Sequence, residues 1–265
     1  MTTTATLVRD VQAVRVAPVP LGRVVRVELR KMFDTRSGFW LMASIVIFAL
    51  LTMIGVVLFA PDEDLTFYTF AKALGFPMTL VLPMIAALSI TGEWSQRTGL
   101  STFTMVPDRS RVLLAKTISS VVVGVVAMFF ALAVGVVGNL VGTAIAGTDL
   151  VWDVSAVEVF NIVLGSLLCL LTGTMLGMVF RSSAGALVAY LVLALVLPAI
   201  AGILSASEPG FVDIQPWVDA NWARSFLFEG TPSAEQWAQI GVTTSFWLVL
   251  PALLGLRLVL RSEVK

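Results

Sequence analysis

Six long apolar segments, separated by loops whose basic residues fall almost entirely on alternate sides, constrain this chain more than any other feature. A bilayer core of ~30 Å is crossed by about twenty apolar helical residues. Residues 39–60, 73–92, 117–147, 159–180, 184–206 and 238–256 reach that length or come close to it, and none has a Lys, Arg, Asp or Glu in its interior. The third is longer than one crossing and should tilt or project beyond the lipid. The pattern predicts an all-α polytopic membrane protein with six transmembrane helices. An even number of crossings leaves both termini on one side.

Basic flanks mark the cytoplasmic face. Fifteen of the 17 Lys and Arg residues lie before span 1, between spans 2 and 3, between spans 4 and 5, or after span 6; only Lys72 and Arg224 fall opposite. Acidic residues such as Asp62, Glu63, Asp64, Asp149 and Asp153 populate the other side. Both termini are therefore expected to be cytoplasmic. The polar start of the chain predicts no cleavable signal peptide.

Composition narrows the chemistry. Charged residues make up 13% and the mean hydropathy is +0.95, whereas a soluble domain has about 25% charged residues. Histidine is absent and Cys169 is the single cysteine. A His-dependent hydrolase, an HExxH zinc site and an intramolecular disulfide are thereby excluded. Spans without ionisable residues also argue against an intramembrane enzyme and against a proton-coupled carrier. Ser44, Ser89, Ser166 and Ser245 read as helix-bonding hydroxyls. The spans suit an amphipathic or hydrophobic cargo, although lipid alone also demands apolar spans.

Outside the spans, residues 1–20 read as a flexible cytoplasmic tail and residues 21–38 as an amphipathic interfacial helix. Leu21, Val24, Val25, Leu29 and Met32 share one face of that helix, and Arg23, Arg26 and Arg30 the other. Glu28 lies within the apolar face. It either snorkels to water or is a paired carboxylate that locks the helix to a basic cytoplasmic loop, since an unpaired charge there is costly. Residues 39–260 form the six-span domain and residues 261–265 a short cytoplasmic end. Within that domain, the external loop 207–237 carries Trp217, Trp222 and Trp237 and should dip into the membrane interface as short helices. Pro77 and Pro83 in span 2 and Pro198 in span 5 predict bent helices. Gly165, Cys169, Gly173 and Gly177, like Gly138 and Gly142, form small-residue stripes for close helix packing.

The connection 93–116 is the densest stretch. It begins Glu93-Trp94 and continues through Arg97-Thr98-Gly99. Leu100, Phe103 and Thr104 share a helical face, before Pro107, Arg109, Arg111 and finally Ala115-Lys116. On composition alone this is a solvated loop. The order E-W-x-x-R-T-G, then an apolar patch, then P-x-R-x-R-V-L-x-A-K closely resembles permease subunits of ABC-2 type transporters, whose usual form is E-Y-x-x-G-T followed by P-x-x-R and A-K. Here Arg97-Thr98-Gly99 stands where Gly-Thr is usual. Glu28-Leu29-Arg30-Lys31 resembles the basic helix that precedes span 1 in that family, and residues 257–265 its basic C-terminus.

The resemblance implies the permease half of an ATP-driven exporter in a bacterial cell membrane. It implies pairing with a second copy or a related permease, and with two copies of an ABC ATP-binding subunit. Residues 94–106 would be the coupling segment that meets that subunit, flanked by Glu93, Arg97, Arg109 and Arg111. Spans 2 and 5 would approach the translocation path, with Phe76, Pro77, Met78, Pro83, Met84 and Pro198 as candidate lining residues. ATP and Mg would belong to the partner. No Gly-Lys pair occurs in this chain, so it has no phosphate-cradling loop of the G-x-x-x-x-G-K-[ST] kind. It is expected to be no enzyme itself, to hold no cofactor and to bind no nucleic acid. The alternative is an ATP-independent channel or scaffold.

Overall fold

The computed structural model describes residues 19–34, 36–95 and 108–261. Arg97, Thr98, Gly99, Leu100, Phe103 and Pro107, and most of the expected tail and C-terminal end, lie outside the described residues. The described chain is almost entirely helical, in the order α1 (Leu21–Asp34), α2 (Arg36–Phe59), α3 (Phe67–Ser95), α4 (Arg109–Ala146), α5 (Ala156–Phe180), α6 (Ser183–Ser207), α7 (Pro209–Val218), α8 (Ala220–Ser225) and α9 (Ala234–Arg261). Six of these, α2 through α6 and α9, are long and apolar enough to cross a membrane. With 38 residues, α4 is about 57 Å long and outreaches the hydrocarbon core, as its sequence predicts.

Burial divides the six. The apolar windows of α3 and α5 are 61% and 67% buried and that of α4 50%, against 11% for both α2 and α6 and 17% for α9. The bundle is thus built on α3, α4 and α5, and the other three present broad apolar faces outward. Small residues explain which helices reach the centre. A Cβ at Gly173 would fall on the backbone carbonyl of Pro83 in α3, and one at Gly177 would lie 2.9 Å from Ile90 Cβ. At Gly138 of α4 the ring of Phe70 fills the space, 2.6 Å from a hypothetical Cβ. The glycine stripes are packing surfaces, because only a missing side chain lets the backbones approach this closely.

Two of the helix prolines free carbonyls that neighbouring helices then satisfy. Pro83 has no N–H for the carbonyl of Thr79, and the Tyr190 hydroxyl of α6 donates to that oxygen instead. In α6 a π-turn spans Val192–Val196 just ahead of Pro198, and the N–H of Leu197 reaches back to Val192 O. The next residue is Pro198, so the Leu193 carbonyl loses its donor; Asn221 Nδ2 of α8 supplies one at 2.7 Å. A second π-turn, Ser245–Val249, precedes Pro251 in α9. Both widenings move a carbonyl away from the ring that would clash with it. Ser44, Ser166 and Ser245 each donate to a carbonyl one turn earlier, as expected of intrahelical hydroxyls.

The expected interfacial segment after α6 folds back as the short helices α7 and α8. Trp247 Nε1 of α9 donates to Val218 O at 2.8 Å, and Tyr68 Oη to Phe228 O at 3.1 Å. These bonds tie the segment to α9 and α3 rather than leaving it as a separate unit.

Candidate functional site

The amphipathic helix α1 starts directly after Pro20 and buries Val24, Glu28 and Met32. These positions lie four apart, so one stripe faces the bundle. Glu28 is 4% exposed and belongs to a buried ion cluster. Its Oε2 accepts from Lys116 Nζ of α4 at 2.6 Å, and its Oε1 from Lys31 Nζ at 2.8 Å. Glu93, at the end of α3 and equally buried, receives Lys116 at 3.1 Å and Lys31 at 3.4 Å. Among the described residues, two carboxylates and two ammonium groups thus alternate around one centre with their charges balanced. This is the paired-carboxylate reading of Glu28, and the snorkelling reading is set aside.

Lys31 is the half-exposed member. Desolvation works against its ammonium, but the hydrogen bond and charge of Glu28, backed by Glu93, outweigh it and hold its pKa above the ordinary lysine value. Lys116 is 4% exposed and sits two turns into α4. Asp108 starts that helix by accepting from the N–H groups of Ser110 and Arg111. The Ser110 hydrogen bond also holds the Asp108 carboxyl below its ordinary pKa. This cap moves the start of the helix from the expected residue 117 to Arg109.

Around the cluster, polar bonds converge on the same end of the bundle. Arg111 Nη1 donates to Val19 O at 3.2 Å and Arg109 Nη1 to Val259 O at 3.4 Å, so both ends of the described chain meet the start of α4. Ser119 Oγ donates to Val25 O at 3.2 Å, a further link between α1 and α4. Beneath them Ile90, Leu113, Met178 and Val259 form an apolar cluster against which Trp94 packs. The cluster joins the ends of α3, α5 and α9 to the start of α4. Arg30 turns away and pairs with Asp34 on the surface at side-chain exposures of 82% and 59%, a contact worth little.

The residues expected at a translocation path do not share one surface. Phe76 is 67% exposed, whereas Met78 is fully buried and Pro77 and Pro83 lie inside the bundle. Met84 packs partly buried beside Met175 and Tyr190, and Pro198 is half-buried in α6. One chain therefore uses α3 chiefly as core.

Sequence reasoning missed the burial of Arg224. It assigned this residue to a loop, yet Arg224 is 9% exposed and bonds Ala220 O, Thr172 Oγ1 and Cys169 Sγ. The signal was present in the spacing Ala220, Ala223, Arg224, Leu227, a helical stripe whose members are all buried.

Among the described residues no group of three His, Cys, Asp or Glu is placed to hold a metal ion. Glu28 and Glu93 are each held by Lys31 and Lys116. What the arrangement can do is mechanical: it fixes both flanks of residues 96–107 to α1. No protein-family model matches this chain, and no curated protein matches it either.

Proposed function

We propose that this chain is the permease subunit of an ATP-driven ABC exporter, moving an amphipathic or hydrophobic substrate such as a drug, peptide or lipid. The carrying observation is the buried ion cluster. Glu93 ends α3 just before residues 96–107, Lys116 follows them in α4, and both are clamped to Glu28 and Lys31 of the surface helix. A push on that segment is therefore delivered to α1, α3 and α4 together, and through Trp94 and its apolar neighbours to α5 and α9. Such rigid linkage is what converts closure of a soluble ATPase into a change of bundle pose.

In this reading two ATP-binding subunits supply ATP and Mg chemistry, and a second copy or a related permease completes the path. The basic flanks support cytoplasmic termini in a bacterial cell membrane. The outward apolar faces of α2, α6 and α9 leave room for that second permease as well as for lipid.

The test is Leu100→Asp combined with Phe103→Asp. Burying two carboxylates in a docking contact without partners is unfavourable by several kcal/mol. We expect the ATP-binding subunit to be lost from the purified complex, with affinity weakened at least ~100-fold. The unfolding temperature of the permease is measured on the same variant, so that loss of the ATPase is read on an intact fold. Full retention of a stoichiometric ATPase, with undiminished hydrolysis, would sink the coupling assignment.

A further inference from the structure

Arg224 is a permanent cation beside the middle of α5 and α9, buried with no acidic partner among the described residues. Its Nε donates to Ala220 O at 2.7 Å, and its Nη1 to Thr172 Oγ1 at 3.3 Å and Cys169 Sγ at 3.5 Å. Among the described residues no carboxylate lies within ion-pair distance of it. None offers an acceptor to Nη2 either. Arg224 lines a small, partly open cavity together with Leu168, Thr172, Thr244, Trp247 and Leu248. A guanidinium stays charged even when desolvated, and a buried charge calls for a counter-charge.

The cavity is built rather than incidental. Thr244, Trp247 and Leu248 come from the π-turn of α9 and the residue just before it, and such turns recur at functional sites. Trp247 is fixed by its bond to Val218 O, and α8, which carries Arg224, by the bond of Asn221 to Leu193 O. The walls combine two threonine hydroxyls with the apolar surfaces of Leu168, Trp247 and Leu248. All three apolar walls are only half-buried, so the cavity opens towards the apolar surface of the bundle.

We infer that this cavity binds an oxyanion, the phosphate or carboxylate head of an amphiphile whose apolar part runs outward past Leu168, Trp247 and Leu248. A guanidinium meets such a head through its fork of N–H donors; the cavity itself measures only about 10 Å³, so the half-buried Trp247 and Leu248 at its mouth have to move aside as the head group enters. The inference rests on the membrane-spanning reading of the helices and not on the coupling to an ATPase.

Trp247 provides the readout, because brominated acyl chains quench a tryptophan they touch. The chain is placed in phosphatidylcholine nanodiscs containing a minor fraction of brominated phosphatidylglycerol, or the same fraction of brominated phosphatidylcholine. The Trp247 contribution is isolated by difference against Trp247→Phe. One charge-assisted contact predicts roughly tenfold enrichment of the anionic lipid at Trp247. Arg224→Gln abolishes the enrichment, while Arg224→Lys, which keeps the charge without the fork, retains part of it. Inorganic phosphate is titrated in a parallel arm. A change in Trp247 emission with phosphate but no lipid preference identifies a dissolved oxyanion as the occupant. Equal quenching by both lipids together with no response to phosphate overturns the inference, and that comparison needs only the unaltered Arg224.

Discussion

Lys116→Met is expected to destabilise the bundle by about 3–5 kcal/mol, the usual cost of removing one partner from a buried ion pair. The substitution takes from Glu28 and Glu93, each 4% exposed, the buried ammonium that both hold. Glu28 then keeps only the half-exposed Lys31 among the described residues. Adding Glu28→Met should recover most of the loss, because the carboxylate bonded to Lys116 at 2.6 Å is then removed with it and two methionines fill the vacated volume. Chemical unfolding in mild detergent, followed by tryptophan fluorescence, gives both values and the coupling between them. Single substitutions that each cost less than about 1 kcal/mol and add without coupling would mean that the four groups are independently solvated.

Gly173→Leu should be comparably disruptive for a different reason. The Pro83 carbonyl occupies the place of the new Cβ, and backbone cannot swing aside as a side chain can. Overpacking typically costs about 1–3 kcal/mol, and separating two central helices belongs at or above the top of that range. Gly202→Leu in α6 is the matched control, since nothing lies within 4 Å of a Cβ there. The control should unfold like the parent, and the Gly173 variant well below it. Equal stabilities would show that α3 and α5 do not pack through this glycine.

Features encoded along one helix were legible in the sequence, and those made between helices were not. Apolar length alone gave six spans, and four-residue spacing identified the glycine stripe of α5 and the inward face of α1. The charge of Glu28 on that inward face demanded a partner, but nothing in the chain order singles out Lys116, 88 residues away, or predicts that Glu93 shares it. Glu93 and Lys116 read instead as solvated flanks of a loop. The early start of α4 depends on the Asp108 cap, a local device that an apolar-length criterion passes over. The π-turns follow from prolines in long helices, yet their rescue by Asn221 is a tertiary event. Arg224 was misjudged because a basic residue between spans is ordinarily solvated, whereas here α8 folds back onto α5.

The ion cluster ties α1, α3 and α4 together, and the proposed role requires a soluble machine to move them. The most direct test is mass spectrometry of the proteins that co-purify with the tagged chain in mild detergent, with ATP hydrolysis assayed on the same sample. The account predicts a stoichiometric ATP-binding subunit, two copies per pair of permeases, and hydrolysis that is lost with Leu100→Asp plus Phe103→Asp. A stable oligomer of this chain alone, reproducibly free of any ATPase, would contradict it and favour a channel or scaffold.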